Sequence, residues 1–284
     1  MVLSKWIAFP LIILVGTVLT VSYILGYSEY SYWLIPLAVA LAVVYVLHPE
    51  IDRWYVKNNP LKLPKGMLRF IEDHLPAYRL LSPAQKKDFE SSASIFLRNT
   101  TFMPQGFERV PEDLKVVLAA NAYILTSFQA GWNEKYSLYE NIVIYRHPFP
   151  SPQFPKYLHS SELYAQDHVL LFCADHFMKA FRFPQQYFNT AMYEWAKVLF
   201  MDKTPEFDIN LQALPEISGF QNSVVVDYVG LPEPYIQWEA VATTYFFTFP
   251  VRYKMHMEHS YEKISEYFGV DPMKLLNARE PISH

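Results

Sequence analysis

Residues 6–26, WIAFPLIILVGTVLTVSYILG, run for 21 positions without a charged side chain. At about 1.5 Å per residue, a helix of that length crosses a hydrocarbon core about 30 Å thick. Inside such a core each backbone amide must be satisfied within its own helix, which restricts this stretch to one conformation. A second uncharged run, YSYWLIPLAVALAVVYVL (30–47), follows almost at once. A cleaved signal peptide is the competing reading of the first run, but no small-residue cleavage site is evident and a second apolar run succeeds it. For the second run the competing reading is a re-entrant or buried helix. Lys5 precedes the pair, the connector YSEYS carries only Glu29, and Arg53, Lys57, Lys62, Lys65 and Arg69 come after it. Basic residues mark the cytoplasmic side, so both ends of the hairpin are expected there. Trp6, Tyr32 and Trp33 stand where interfacial aromatics belong. Residues 6–47 therefore bring the lipid bilayer in as a partner.

The expected organisation is a transmembrane hairpin over 1–50, a polar, proline-bearing juxtamembrane linker over 51–66, and a soluble domain over 67–284. The net charge of −4 and the lack of a basic patch argue against a nucleic-acid partner. Cys173 is the single cysteine, so the chain forms no internal disulfide, and its place in an apolar run reads as core. Glycine is scarce, and nothing resembles a glycine-rich phosphate loop.

In the soluble part, SPAQKKDFESSASIFLRN (82–99) reads as a helix with Ser82 as cap and Pro83 at its first position. PEDLKVVLAANAYILTSF (111–128) reads as a second, with acids in the first turn. NIVIYRHPF (141–149) and HVLLFC (168–173) read as strands. Helices are further expected over 184–201, entered at Pro184, over 236–249, and over 257–269, stopped by Gly269. Helices around a few strands give an α+β class.

Within the 184–201 helix, Phe188, Met192, Trp195 and Leu199 form a core-facing stripe, while Tyr193 and Lys197 share another face. By itself YEWAK (193–197) is an ordinary helical stretch. HMEH (256–259) places His256 and His259 at a spacing that one helix face can present, and ADHF (174–177) offers Asp175 and His176 as capping or surface groups.

Several stretches in order resemble the Mlc titration factor A family of zinc peptidases, called M90. FMPQGFE (102–108) is similar to the family's P-x-Q-G-F-E segment, and VPEDLKVVLAANAYILTSF (110–128) to its alanine-rich helix. NIVIYRHPF resembles the V-x-V-Y-P-x-x-F strand, and DHVLLFCAD (167–175) the strand G-P-V-V-L-S-W-D-D. EAVATTYFFTFP (239–250) resembles F-A-V-A-S-E-x-F-F-x-x-P, and ISEYFGVDP (264–272) the closing F-Y-x-x-D-P. The resemblance implies a zincin-like metallopeptidase domain, and the hairpin lies outside it.

The resemblance also lays the family's zinc helix, H-E-x-A-H-x-L-D, on YEWAKVLF (193–200). Its first ligand then corresponds to Tyr193, its catalytic glutamate to Glu194, its alanine to Ala196, its second ligand to Lys197 and its aspartate to Phe200. The third ligand corresponds to Gln237, and a later glutamate to Thr244. Lysine coordinates only when deprotonated, which costs about 4.6 kcal/mol at neutral pH, and a tyrosinate costs about 4. A neutral amide replaces a carboxylate poorly, and Glu194 alone is a base without activated water.

The expectation is a degenerate site at Tyr193, Glu194, Lys197 and Gln237, with no bound metal and no cofactor. Lys197 is expected to pair with Glu194 where zinc would sit, and Tyr193 and Gln237 to complete a hydrogen-bond network between two helices. The function expected is a membrane-anchored pseudopeptidase that binds a protein partner as an accessory subunit, on a bacterial inner membrane, with the soluble domain cytoplasmic. The alternative is an active zinc peptidase with relocated ligands, using Glu194, Glu239, His176, His256 or His259.

Overall fold

The computed structural model describes residues 3–59, 63–79, 81–128, 132–151 and 153–273. The chain forms two compact units, Met1–Leu61 and Lys62–His284.

In the first unit, helix α1 (Leu3–Leu19) runs into a π-helical turn (Thr20–Ile24), and a 3-10 turn (Ser28–Trp33) leads into α2 (Leu34–Val46). The stretches Leu3–Ile24 and Ser28–Val46 are each long and apolar enough to cross a membrane. Their side chains are mostly exposed, as a lipid-facing surface requires. Helix α3 (His48–Asn58) occupies much of the stretch read as a linker, and Lys62 lies outside the described residues. α3 returns to the start of the hairpin: the Ser4 backbone N–H and hydroxyl donate to the two Asp52 carboxylate oxygens at 2.9 and 2.7 Å. A carboxylate there satisfies an otherwise orphaned amide and opposes the positive end of the α1 dipole.

The second unit contains α4 (Lys65–His74), α5 (Pro76–Arg79), α6 (Pro83–Asn99), α7 (Glu112–Thr126), α8 (Ala174–Arg182), α9 (Thr190–Leu199), α10 (Leu214–Ser218), α11 (Asn222–Val229), α12 (Trp238–Thr248), α13 (Pro250–His256) and α14 (Glu258–Phe268). Its strands are β1 (Thr101–Gln105), β2 (Asn141–Tyr145), β3 (Phe149–Pro150), β4 (Leu158–His159), β5 (Ser161–Tyr164) and β6 (Val169–Cys173). The main sheet has the order β1-β2-β6-β5, with the first three strands parallel and β5 antiparallel at the edge. Ile142, Ile144, Leu170 and Phe172 are fully buried at its centre. Strand β1 contains Pro104, which has no amide to give a ladder and is tolerated because β1 is the other edge. β3 and β4 form a separate two-stranded ribbon.

Helix α6 starts as expected, with a reciprocal capping box between Ser82 and Gln85. Two expectations are corrected. The helix expected from Pro184 begins at Thr190, because the Asn189 side chain accepts the Met192 amide and caps it there. His256 and His259 do not share a helix face: α13 ends at His256, and Met257, at φ −143°, breaks the chain before α14. Gly269, at φ +66°, ends α14 as expected.

Candidate active site on the 193–197 helix

Helix α9 lies against α7, α12 and β5, and of its residues only Lys197 is not buried. The expected stripe is in the core, with Trp195 ringed by Phe96, Tyr136 and Phe172. The helix start is fixed twice. Besides capping α9, Asn189 donates through Nδ2 to Asn121 Oδ1 of α7 at 2.8 Å, and Asn121 donates in turn to the Val117 carbonyl. This double tie holds the first turn of α9, and so residues 193–197, in a set rotation over the sheet.

Glu194 is fully buried. Its Oε1 accepts a hydrogen bond from the Ser161 hydroxyl of β5 at 2.8 Å, and its Oε2 lies 2.8 Å from Lys197 Nζ. The Lys197 side chain is 14% exposed, and its ammonium also sits 5.1 Å from the centre of the Tyr193 ring. Burial pulls the lysine pKa down, but the Glu194 carboxylate, aided by Tyr193 and Glu162, outweighs it and holds the pKa above the ordinary value. Lys197 is therefore a fixed cation at neutral pH. Burial pushes the Tyr193 phenol up, with Lys197 pulling the other way, and the net shift is upward. The phenol is neutral.

Tyr193 does reach position 237, but through the backbone: its hydroxyl accepts the Gln237 N–H at 3.2 Å, at the start of α12. The Gln237 side chain turns outward and donates to Thr204 Oγ1 at 3.2 Å. Position 237 thus joins the two helices with its amide and ties the segment after α9 with its side chain. Phe200 packs on Phe207 and Tyr267, and the Thr244 hydroxyl donates back to the Ala240 carbonyl within α12.

Ser161 and Glu162 were not foreseen. Glu162 is buried beside the site, accepts from the Ser151 hydroxyl at 2.8 Å, and bears on the Lys197 charge. They lie in a polar run, His159–Ser160–Ser161–Glu162, whose composition suggests a surface loop. Pairing of β4 with β3 and of β5 with β6 takes that run inside.

These side chains, as placed, do not fit a zinc ion. Zinc takes thiolate, imidazole or carboxylate donors at about 2.0–2.3 Å. Here one position offers a protonated amine without a lone pair and one a neutral phenol already accepting a backbone N–H, while the third turns its amide outward. Among the described residues no group of three or more His, Cys, Asp or Glu is placed to hold a metal. His176 has its Nδ1 3.2 Å from the Cys173 thiol and its ring against Tyr228. His259 pairs with Asp208 at 3.2 Å, His256 is exposed at the end of α13, and Glu239 is in the first turn of α12. The residues of the relocated-ligand alternative are thus dispersed.

A search of curated proteins finds no match to this chain. A family model described as "Glucose-regulated metallo-peptidase M90" matches residues 50–202, more than half of the chain, from within α3 to just past α9. That span includes Tyr193, Glu194 and Lys197 and stops short of Gln237. On this match, the chain belongs to the M90 peptidase family.

Proposed function

We propose that the chain is a membrane-anchored M90 member that has given up zinc chemistry and acts by binding protein, as an accessory subunit of a membrane-associated complex. The observation that carries the proposal is the ion pair between Lys197 and Glu194. The carboxylate that would polarise a zinc-bound water is held instead by an ammonium and a serine hydroxyl, in a buried setting. The Lys197 ammonium supplies the positive charge of the missing ion, and the Tyr193–Gln237 bond joins α9 to α12 as a shared metal would. A buried charge of this kind persists in a fold only when its partners satisfy it. The site then serves the shape of the domain, which a binding function uses and a hydrolase would not need to keep without its metal. On this reading the apolar hairpin anchors the domain at a bacterial inner membrane with the domain on the cytoplasmic side, an orientation that the basic residues after the hairpin support.

Elemental analysis of the purified full-length protein in detergent tests the proposal. The protein as it stands is expected to hold no stoichiometric zinc and to show no chelator-sensitive peptide cleavage. One tightly held zinc per chain would overturn it. The variant Tyr193→His, Lys197→His, Gln237→Glu is expected to gain zinc affinity, and its failure to do so would remove the correspondence of these positions with the family's ligands.

A further inference from the structure

Helix α4 is sorted into two faces. Met67, Phe70 and Ile71 pack against the core, with Ile71 fully buried. Lys65, Leu68, Arg69, Glu72 and Asp73 are spaced as one stripe of a helix with 3.6 residues per turn, and they form the open face. Burial of Ile71 therefore fixes which way the charged stripe looks. Arg79, at the end of α5, folds over that stripe and donates through Nε to the Glu72 carbonyl at 2.8 Å. These six residues line a surface recess of about 560 Å³.

The recess holds more positive charge than its own acids offset. Lys65, Arg69 and Arg79 supply three cations, against the carboxylates of Glu72 and Asp73. The Glu72 carboxylate is already held at 3.0 Å by Lys86 of α6, which lies outside the lining. Among the described residues no ion pair includes Lys65, Arg69, Arg79 or Asp73, although Asp73 is one helical turn beyond Arg69. The bond from Arg79 Nε holds its guanidinium in place and does not use the terminal amino groups. Lys65 also opens α4, whose start has no side-chain cap, and Gly66 has open space where a side chain would stand. The positive end of the helix dipole thus adds to the lysine charge.

We propose that this recess binds a phosphate ester. A guanidinium with free terminal groups, a second arginine and a lysine at an uncapped helix start are donors suited to a phosphate oxyanion. The surplus of positive charge favours an ester that is anionic overall, and Asp73 gives an acceptor to a hydroxyl of its alcohol. A glycerol-type phosphate meets both conditions. That chemistry is shared by a soluble ester and by an anionic lipid headgroup, and residues 47–64 alone lie between the second apolar helix and α4. The inference is independent of the state of the zinc helix.

The test uses the full-length protein in a neutral detergent. It is titrated calorimetrically with glycerol phosphate, with glycerol as the uncharged control. Native mass spectrometry of the same protein follows the uptake of short-chain phosphatidylglycerol against phosphatidylcholine. Saturable uptake of one glycerol phosphate, or of one phosphatidylglycerol, is expected. Arg69→Gln and Arg79→Gln should each weaken it about tenfold, as loss of a charge-assisted hydrogen bond does. Lys203→Gln, at an exposed lysine outside the recess, should leave it unchanged. The thermal transition of each variant reports that it is folded. Uptake of glycerol phosphate without the lipid assigns the recess to a soluble ester, and the reverse assigns it to a headgroup. Uptake of neither, or uptake that both arginine variants leave intact, would overturn the inference.

Discussion

At the scale of single residues, the site turns on where one charge is placed. Lys197 lies where the family's second ligand is expected, and its ammonium has Glu194 as a partner at 2.8 Å. Lys197→Met keeps most of the apolar stem and removes the charge, leaving Glu194 buried with the Ser161 hydroxyl. Breaking a buried pair this way is expected to cost about 3–5 kcal/mol, against about 0–1 for an exposed lysine. The double variant Lys197→Met, Glu194→Gln should recover part of that loss, because no unpaired charge remains. Thermal unfolding of the full-length chain in detergent checks both, and a Lys197→Met protein as stable as the parent would show a merely solvated lysine. The pH dependence has a definite sign. Because the folded-state pKa of Lys197 is raised, its contribution is fully present below the unfolded value near 10.5 and is lost as pH rises through the higher folded value. The Lys197→Met variant should therefore lack the part of the alkaline decline in stability that this lysine contributes. The side-chain types at 193 and 197, and the resemblance that sets them against ligand positions, are properties of the letters. That the 237 tie runs through the backbone amide is not such a property, since a sequence does not say which atom of a glutamine faces inward.

At the scale of elements, the decisive feature is how α9 begins. The periodicity of 184–201 and the proline at 184 suggested a longer helix, but the Asn189 side chain competes for the Met192 amide and sets the start at Thr190. Asn189→Ala removes that cap and strips Asn121 of its partner in the core. A lost cap costs about 0.5–2 kcal/mol and an orphaned buried polar group about 1–3. The variant should thus unfold at markedly lower denaturant than the parent, and a change within error would mean that α7 fixes α9 by packing alone. Capped helices such as Pro83–Asn99, and apolar strands such as Val169–Cys173, were legible because their signals are local. β1 and β5 were not. One contains a proline and the other opens on the polar pair Ser161–Glu162, and each becomes a strand because a neighbouring strand offers a ladder.

At the scale of the whole molecule, the hairpin and the peptidase-family domain are separate units, and each answers to different physics. The clasp of Ser4 on Asp52 brings the start of α1 beside the helix that follows α2, so the two ends of the hairpin lie together. Together with Lys5 and the basic residues after the second run, this supports the orientation proposed above, in which both termini are cytoplasmic. Reporter fusions at the C-terminus, active only in the cytoplasm or only outside it, test the orientation, and an external C-terminus would reverse it. The sequence by itself determined the two long apolar helices, the α+β class and the family, and it supplied the proposed correspondence of residues 193, 197 and 237 with ligand positions. Those properties are written in composition, in local periodicity and in the order of motifs along the chain. Only the tertiary structure decided that Ser161 attends Glu194, that Glu162 bears on Lys197, that Gln237 turns its side chain toward Thr204, and that among the described residues the histidines of the alternative site stay apart. Each of these depends on which segments far apart in sequence share a boundary, and burial there changes what a polar side chain must do. A serine that would be solvated in a loop has to find a carboxylate in the core.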